Sequence, residues 1–120
     1  ISPKPLSVGA LGFDTSMSLS QIQAESLVKA GLKYGVRYVP LGHVSSAINK
    51  SEFDMLLNSG LGLMLVQFAR TSGWSTISGH EDGETAAKYA ISLGYPPGAV
   101  LWLDLACNVN ADLAIAYANA

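Results

Sequence analysis

Residues 61–68 read Leu-Gly-Leu-Met-Leu-Val-Gln-Phe, and this near-continuous apolar run decides the fold class. A short run without alternation of polar and apolar residues is typical of a strand buried on both faces, as strands of parallel sheets are. The residues before it, 51–60, carry apolar residues and a glycine at i, i+3, i+4 and i+7, which predicts a helix. The stretch therefore predicts a helix that is followed by a buried parallel strand.

The same unit of strand, polar loop and helix recurs along the chain. Strands are predicted at 11–15, 35–40, 61–68 and 99–105, and helices at 20–34, 51–60, 84–93 and 111–120. Alternating strands and helices indicate a parallel sheet with right-handed crossovers. Each unit takes about 30 residues, whereas a complete eightfold barrel takes about 250. The sequence thus predicts an α/β fold that is half, or a fragment, of a TIM-type (β/α) barrel, and the alternative is a small doubly wound parallel sheet.

Local signals mark the ends of these helices. Five polar residues have the positions of N-caps or capping boxes: Ser20 with Gln23, Ser51, and Ser78 with Glu81. Gly94 is expected to end the third helix in the left-handed conformation. No glycine or proline follows the helix predicted at 111–120, so we expect a single domain, 1–120, that is incomplete at its C-terminus.

Composition excludes several classes of protein. Hydrophobic residues make up 49% of the chain and charged residues 13%, whereas disordered chains are rich in charge and poor in apolar residues. The 7 Lys and Arg residues are scattered and the formal net charge is −2, so we expect no nucleic-acid partner. No apolar run is long enough to span a bilayer. Phosphate-binding glycine motifs and the HxH or HExxH spacings of metal sites are missing, so we expect no cofactor and no metal.

Two carboxylates at strand ends are the candidate catalytic residues. In parallel α/β folds the working residues gather at the carboxyl ends of strands, and Asp14 and Asp104 lie near the ends of the first and fourth predicted strands. A carboxylate there serves as a general base, a transition-state stabiliser or a substrate anchor. Trp102 shares a strand face with Asp104 by period-two alternation, and an aromatic beside a carboxylate suits a sugar ring. The alternative for Asp14 is that it caps the following loop.

Four further side chains are candidates for substrate binding: Arg37, Tyr38, Gln67 and Trp74. A buried arginine needs a carboxylate partner, and we expect Asp14 or Asp104, with a purely structural ion pair as the alternative role. Gln67 would bind either a ligand hydroxyl or a loop backbone group. Trp74 would form a lid, a sugar platform or a plug of the core.

Several segments occur in the order of a known family. They are Gly12-Phe13-Asp14-Thr15-Ser16, Gly35-Val36-Arg37-Tyr38-Val39, Ser51-Glu52-Phe53 with Gly60-Leu61-Gly62-Leu63, and Trp102-Leu103-Asp104-Leu105. A stretch from Gly73-Trp74 to Leu93-Gly94-Tyr95-Pro96 fits the same pattern. Together they resemble the glycoside hydrolase-like domain related to family 25 lysozymes, the muramidases, over nearly the whole chain.

The resemblance implies a (β/α) barrel with a sugar cleft at the strand mouths, in a secreted or extracytoplasmic protein that acts on peptidoglycan or another cell-wall polysaccharide. Asp14 matches the family's aspartate at the end of strand one, and Asp104 matches the first acid of a D-x-E or D-x-D signature. The second acid, the family's proton donor, is replaced by Ala106. Two hypotheses follow: acid/base hydrolysis by Asp14 and Asp104, or a non-catalytic carbohydrate-binding or structural module. Three acidic residues are candidates to replace the missing acid: Glu81, Asp82 and Glu84.

A sheet of four barrel-derived strands leaves its first and fourth strands unpaired and part of its apolar surface uncovered. The small share of charged residues does little to oppose association. We therefore expect either self-association or a complementary chain that completes the barrel.

Overall fold

Four parallel strands form a single sheet, and four helices alternate with them along the chain. The computed structural model describes residues 1–41, 47–105 and 109–120. The strands are β1 (Gly12–Asp14), β2 (Tyr34–Val39), β3 (Gly62–Gln67) and β4 (Leu101–Leu103), and the helices are α1 (Gln21–Lys29), α2 (Lys50–Asn58), α3 (Thr76–Leu93) and α4 (Ala111–Ala118). The predicted α/β class, with four parallel strands and four helices, is confirmed.

The strands lie in the sheet in chain order, β1-β2-β3-β4, and each neighbouring pair is parallel. The helices contact one another in the same order, and α2 and α3 pack against the central strands. Right-handed crossovers between sequential neighbours place the helices on the same face of the sheet, which we call the helix face. The opposite face, which no described helix covers, is called the open face. The carboxyl ends of the strands are called the rim.

Alternate residues of the central strands point to the helix face and build the core. Val39 of β2 and Leu65 of β3 are fully buried there, in one cluster with Phe53 and Leu56 of α2 and Leu93 of α3. Burying each of these side chains contributes about 1.5–3 kcal/mol. The apolar spacing that predicts α2 from the sequence is therefore the spacing that attaches it to the sheet.

Glycines at two strand positions make room for aromatic rings. A Cβ at Gly12 would overlap the ring of Tyr34, and a Cβ at Gly35 would overlap the ring of Phe13. Gly12 and Tyr34 are direct partners in the β1–β2 register, as are Phe13 and Gly35. Cross-strand pairs of this kind stabilise a register, and β1 has only three residues with which to define its own.

Two of the predicted helix ends are confirmed. Ser20 and Gln23 form the capping box of α1, and Gly94 ends α3 with a left-handed φ of 94°. The predicted length of α1 is wrong, because the helix ends at Lys29 and not at 34. Gly31 adopts a φ of 94° just after this point, which a continuing helix does not allow.

Two other predicted caps are wrong. Asn49, and not Ser51, caps α2, and α3 begins at Thr76 behind a capping box formed by Ser75 and Ser78. An N-cap residue needs an extended backbone, which Asn49 and Ser75 have, whereas Ser51 and Ser78 already lie inside the helices. The third helix is consequently longer than predicted at its start.

Candidate functional site

The open face carries a row of three residues across the sheet. Tyr38 of β2 lies opposite Val66 of β3, which lies opposite Trp102 of β4. Adjacent strands are about 4.8 Å apart, so the two aromatic residues leave the sheet about 10 Å from each other. Val66, between them, is only 8% exposed, whereas Trp102 is 54% exposed. The row is thus an apolar surface with an aromatic residue at each end.

Asp14 lies beside this row, at the rim end of β1. It pairs with Val36, two residues before Tyr38 on the neighbouring strand, so its side chain shares the open face with Tyr38. The Tyr38 hydroxyl donates a hydrogen bond to Oδ2 of Asp14 at 3.4 Å. Asp14 is exposed. A ligand on the open face can therefore reach the carboxylate and the phenol together.

Asp104 follows β4 on the same rim. Its N–H donates to the carbonyl of Gln67 at 3.2 Å, which extends the β3–β4 pairing by one residue. If the alternation of β4 continues for one residue, Asp104 shares the open face with Trp102. Burial raises the pKa of Tyr38, and the negative charges of Asp14 and Asp104 raise it further. Tyr38 therefore lies within electrostatic reach of both candidate carboxylates.

The two carboxylates belong to the outer strands of the sheet. Two strands separate β1 from β4, which is about 14 Å measured along a flat sheet. They are thus on one rim but not on neighbouring strands. Tyr38 lies between them, and its ring stacks on Phe68 with a centroid distance of 4.5 Å and an interplanar angle of 27°.

Arg37 is a buried support of the site and not part of its surface. It is 0% exposed on the helix face, where its Nε donates to Oε2 of Glu52 at 2.7 Å and its Nη2 to Oε1 at 3.0 Å. The prediction of Asp14 or Asp104 as the partner of Arg37 is wrong, because the bidentate ion pair is made with Glu52. Arg37 follows Val36, the register partner of Asp14, so the two side chains leave opposite faces of the sheet. The structural alternative for Arg37 agrees with this geometry, and direct substrate binding does not.

Glu52 is not among the site residues predicted above, although the sequence carries a signal for it. Glu52 lies three residues after Asn49, and a helix cap followed by an acid at this spacing marks the first turn of a helix. An arginine in the middle of an apolar strand demands a carboxylate from the helix that packs on it. The two signals together point to this residue.

Gln67 belongs to a second buried polar cluster, between β3, α3 and α4. Its Nε2 donates to the hydroxyl of Tyr117 at 2.7 Å, and that hydroxyl donates to Oδ2 of Asp82 at 2.5 Å. Arg70 completes the cluster with a bidentate ion pair to Asp82, at 2.7 and 3.0 Å. The side chain of Gln67 therefore donates to a tyrosine hydroxyl on the helix face.

Within this cluster, burial and hydrogen bonding shift the pKa of Asp82 in opposite directions. Burial raises the pKa of Asp82, but hydrogen bonds from Arg70 and Tyr117 outweigh burial, and the net pKa is lowered. Burial, and then the hydrogen bond to Asp82, raise the pKa of Tyr117 to about 12. Near neutral pH Asp82 is thus ionised and Tyr117 protonated, which is the state that their hydrogen bond requires.

Trp74 packs against the same cluster. Its ring meets that of Tyr117 edge-on, with centroids 4.6 Å apart. Because Tyr117 is buried in the helix layer, the contact fits the interpretation of Trp74 as a plug of the core. It lends no support to a sugar platform.

The three acidic residues considered as replacements for the missing acid all lie on α3. Asp82 is engaged by Arg70 and Tyr117. Glu84 pairs along the helix with His80 at 3.3 Å and with Lys88 at 3.6 Å, and Glu81 is exposed. Since α3 covers the helix face, these side chains begin on the side of the sheet opposite to Asp14. The expectation that one of them reaches the cleft is not supported by this placement.

Ala106 lies outside the described ranges, as do His43, one of the two histidines, and Cys107, the single cysteine. Among the described residues, no three His, Cys, Asp or Glu side chains gather as a metal site would require. Across the same described ranges, every helix is too short or too polar to cross a membrane.

Comparison with known protein families finds a match over most of the chain. The model of the family described as "Rv2525c-like, glycoside hydrolase-like domain" matches residues 25–119, a range that includes Tyr38 and Asp104 but not Asp14. The chain finds no match among curated proteins or among solved structures. The extent of the family match shows that this chain belongs to the Rv2525c-like, glycoside hydrolase-like domain family.

Proposed function

We propose that this chain binds a cell-wall polysaccharide, such as peptidoglycan, on the open face of its sheet. The arrangement of Tyr38 carries the proposal: its hydroxyl binds Asp14, and the charges of Asp14 and Asp104 both act on it. Ligand sites combine apolar and aromatic walls with a few fixed polar groups. A sugar matches this chemistry, because its C–H face packs on an aromatic ring while its hydroxyls donate to carboxylates.

In this proposal the sheet is half, or a fragment, of a TIM-type barrel related to the family 25 lysozymes. A doubly wound sheet reverses its strand order and carries helices on both faces. Here the order does not reverse, and the helices contact one another in chain order. Both observations support the barrel and speak against the doubly wound alternative. The open face would then be the barrel interior and the rim its functional end.

Hydrolysis is the second candidate function, with Asp14 and Asp104 as the acid/base pair. Glycosidases hold two carboxyl groups about 5–9.5 Å apart around the bond that they cleave. Asp14 and Asp104 leave strands that are about 14 Å apart along the sheet, so curvature must bring them together. Ala106 also stands where the family's proton donor is expected. These two observations favour glycan binding with low or absent hydrolysis.

Co-sedimentation with insoluble peptidoglycan tests the binding proposal. Asp14→Asn and Asp104→Asn are compared with wild type, and Asp54→Asn is the matched control because Asp54 is an exposed carboxylate on α2. We expect the wild type and the control to pellet with the glycan and the two rim variants to bind several-fold more weakly. Wild-type protein that stays in the supernatant, or a control that loses as much as the rim variants, would contradict the proposal.

Closure of the open face requires a further surface, either a second copy or a complementary chain. Val100 and Trp102 are large apolar residues that are more than half exposed. We expect the isolated chain to sediment above its monomer mass of 12.6 kDa. A clean monomer at all concentrations would contradict self-association. A cell-wall ligand also implies a secreted or extracytoplasmic location.

A further inference from the structure

A buried ion pair lies directly behind the rim residue Asp14. The Arg37 guanidinium uses Nε and Nη2 to bind Glu52, and its Nη1 donates to the carbonyl of Thr15 at 2.9 Å. Thr15 is the residue that follows Asp14. The guanidinium therefore connects the first turn of α2 to the backbone beside the candidate carboxylate.

Thr15 is held by its backbone and by its side chain. Its N–H donates to the carbonyl of Val36 at 3.2 Å, and its Oγ1 accepts from the N–H of Met17 at 3.1 Å. With the hydrogen bond from Arg37, the N–H, the carbonyl and the hydroxyl of this one residue are all engaged. The backbone where the chain leaves β1 is therefore held in place, and with it the direction of the Cα–Cβ bond of Asp14.

Glu52 is fixed in turn by its helix. Asn49 caps α2, and its Oδ1 accepts from the N–H of Glu52 at 2.8 Å. A carboxylate in the first turn is favoured by the partial positive charge of a helix N-terminus. The side chains of Arg37 and Glu52 are 0% and 4% exposed. The pair therefore forms a rigid support between α2 and the rim.

We propose that Glu52 and Arg37 are positioning residues, which hold Asp14 toward Tyr38 and the glycan through the carbonyl of Thr15. The inference rests on the proposed glycan site, because it takes Asp14 as a carboxylate that binds the ligand. The alternative is an ion pair that only stabilises the fold. The two roles make different predictions for a variant that lacks the ion pair but keeps its stability. Only the positioning role predicts that Asp14 loses its orientation in that variant.

A double substitution separates positioning from stability. Replacing a buried ion pair by apolar residues of similar size often leaves stability unchanged or higher, because no buried charge is left unpaired. Arg37→Met with Glu52→Leu removes the donor to Thr15 in this way. The control is Arg70→Met with Asp82→Leu, which removes a second bidentate ion pair, between the segment that follows β3 and helix α3.

Two readouts are needed, and only one of them uses the glycan. The first is the NMR order parameter of the Asp14 and Thr15 amides, which we expect to fall from about 0.85 toward 0.6 in the Arg37/Glu52 variant and to stay high in the control. The second is the affinity for soluble peptidoglycan fragments, which we expect to fall about tenfold. Adding Asp14→Asn to the Arg37/Glu52 variant should then lower the affinity little further, because the effects of residues that act through one another are not additive.

Each outcome decides the inference. A folded Arg37/Glu52 variant with rigid Asp14 and Thr15 amides and wild-type affinity overturns it. A wild-type protein that binds no glycan overturns the proposed function, and the order parameters then decide the positioning role alone. Should the double variant not fold, Arg37→Lys is used, because its single ammonium cannot span both Glu52 and the Thr15 carbonyl. We expect the order parameters of the Asp14 and Thr15 amides to fall in Arg37→Lys as well, and unchanged order parameters overturn the inference.

Discussion

The hydroxyl of Tyr38 donates to the carboxylate of Asp14 across the boundary between β2 and β1. The ring of Tyr38 is held separately, by stacking on Phe68. One residue thus joins the apolar row of the open face to a carboxylate of the rim. This junction is what distinguishes the open face from a bare apolar surface.

Substitution of Tyr38 separates the contribution of its ring from that of its hydroxyl. Tyr38→Phe keeps the stacked ring and removes only one long, exposed hydrogen bond. We therefore expect the free energy of unfolding to change by less than about 1 kcal/mol. Tyr38→Ala also removes the stacking, and we expect a loss of about 2 kcal/mol for a half-buried aromatic residue. Urea denaturation measures both. Equal losses in the two variants would show that the ring is not held by Phe68.

Glycine is required where a ring lies over the strand. Gly35→Ala places a methyl group into the ring of Phe13, and we expect a loss of about 1–3 kcal/mol, as for overpacking of a core. Gly83→Ala is the control: Gly83 lies in α3 with open space around it, so we expect a gain of about 0.5–1 kcal/mol from helix propensity. Urea denaturation of both variants tests the two signs. Stabilisation by alanine at position 35 would contradict the packing of Phe13.

The buried cluster around Asp82 predicts a dependence of stability on pH. Because the pKa of Asp82 is lowered in the folded protein, its charge stabilises the fold above the ordinary carboxyl pKa near 4. That stabilisation is lost as the pH falls through the lower pKa of the folded state. We expect Asp82→Asn to cost about 3 kcal/mol at pH 7, toward the low end for a buried pair because Arg70 is partly exposed.

The difference between wild type and Asp82→Asn should then narrow as the pH falls below 4, since the protonated carboxyl resembles the amide. Denaturation curves between pH 2 and 7 measure this difference in the free energy of unfolding, and Asp54→Asn, at an exposed position, is the control. A difference that stays constant over this range would mean that Asp82 is not ionised in the fold.

The alanine at position 106 predicts low or absent hydrolysis of cell-wall glycan by the unmodified chain. Loss of a general acid typically lowers a rate by about 10² to 10⁴. We expect Ala106→Glu to raise activity, measured by turbidity or by released reducing sugar, and Ala106→Gln to leave it unchanged. Robust hydrolysis by the wild type would show that another residue donates the proton.

The sequence was sufficient for the parts of the fold that depend on local signals. The strand runs, the capping box of Ser20 and the left-handed Gly94 are read from neighbours in the chain. The partners of Arg37 and Gln67 were not predictable in this way, because they come from 15 and 50 residues away. Which face a strand residue occupies also depends on register, and a slip of one residue reverses every face.

The early start of α3 was missed for a related reason. Gly79 and Gly83 lower the helix propensity of its first half by about 1 kcal/mol each. Gly79 is nevertheless needed there, because a Cβ would overlap the backbone carbonyl of Tyr117 where α3 meets α4. The packing of α3 on α4 thus requires a glycine at a position where helix propensity disfavours it.

The two tryptophans of the chain allow one spectrum to test the central claim, that glycan binds on the open face. A titration with a soluble peptidoglycan fragment is followed by NMR through both indole N–H signals and the backbone amides. We predict that the Trp102 indole and the amides of Asp14 and Val66 shift in a saturable manner, while the Trp74 indole, packed on Tyr117, does not move. Shifts confined to Trp74 and the helix face, or no shift at any concentration, would contradict the account.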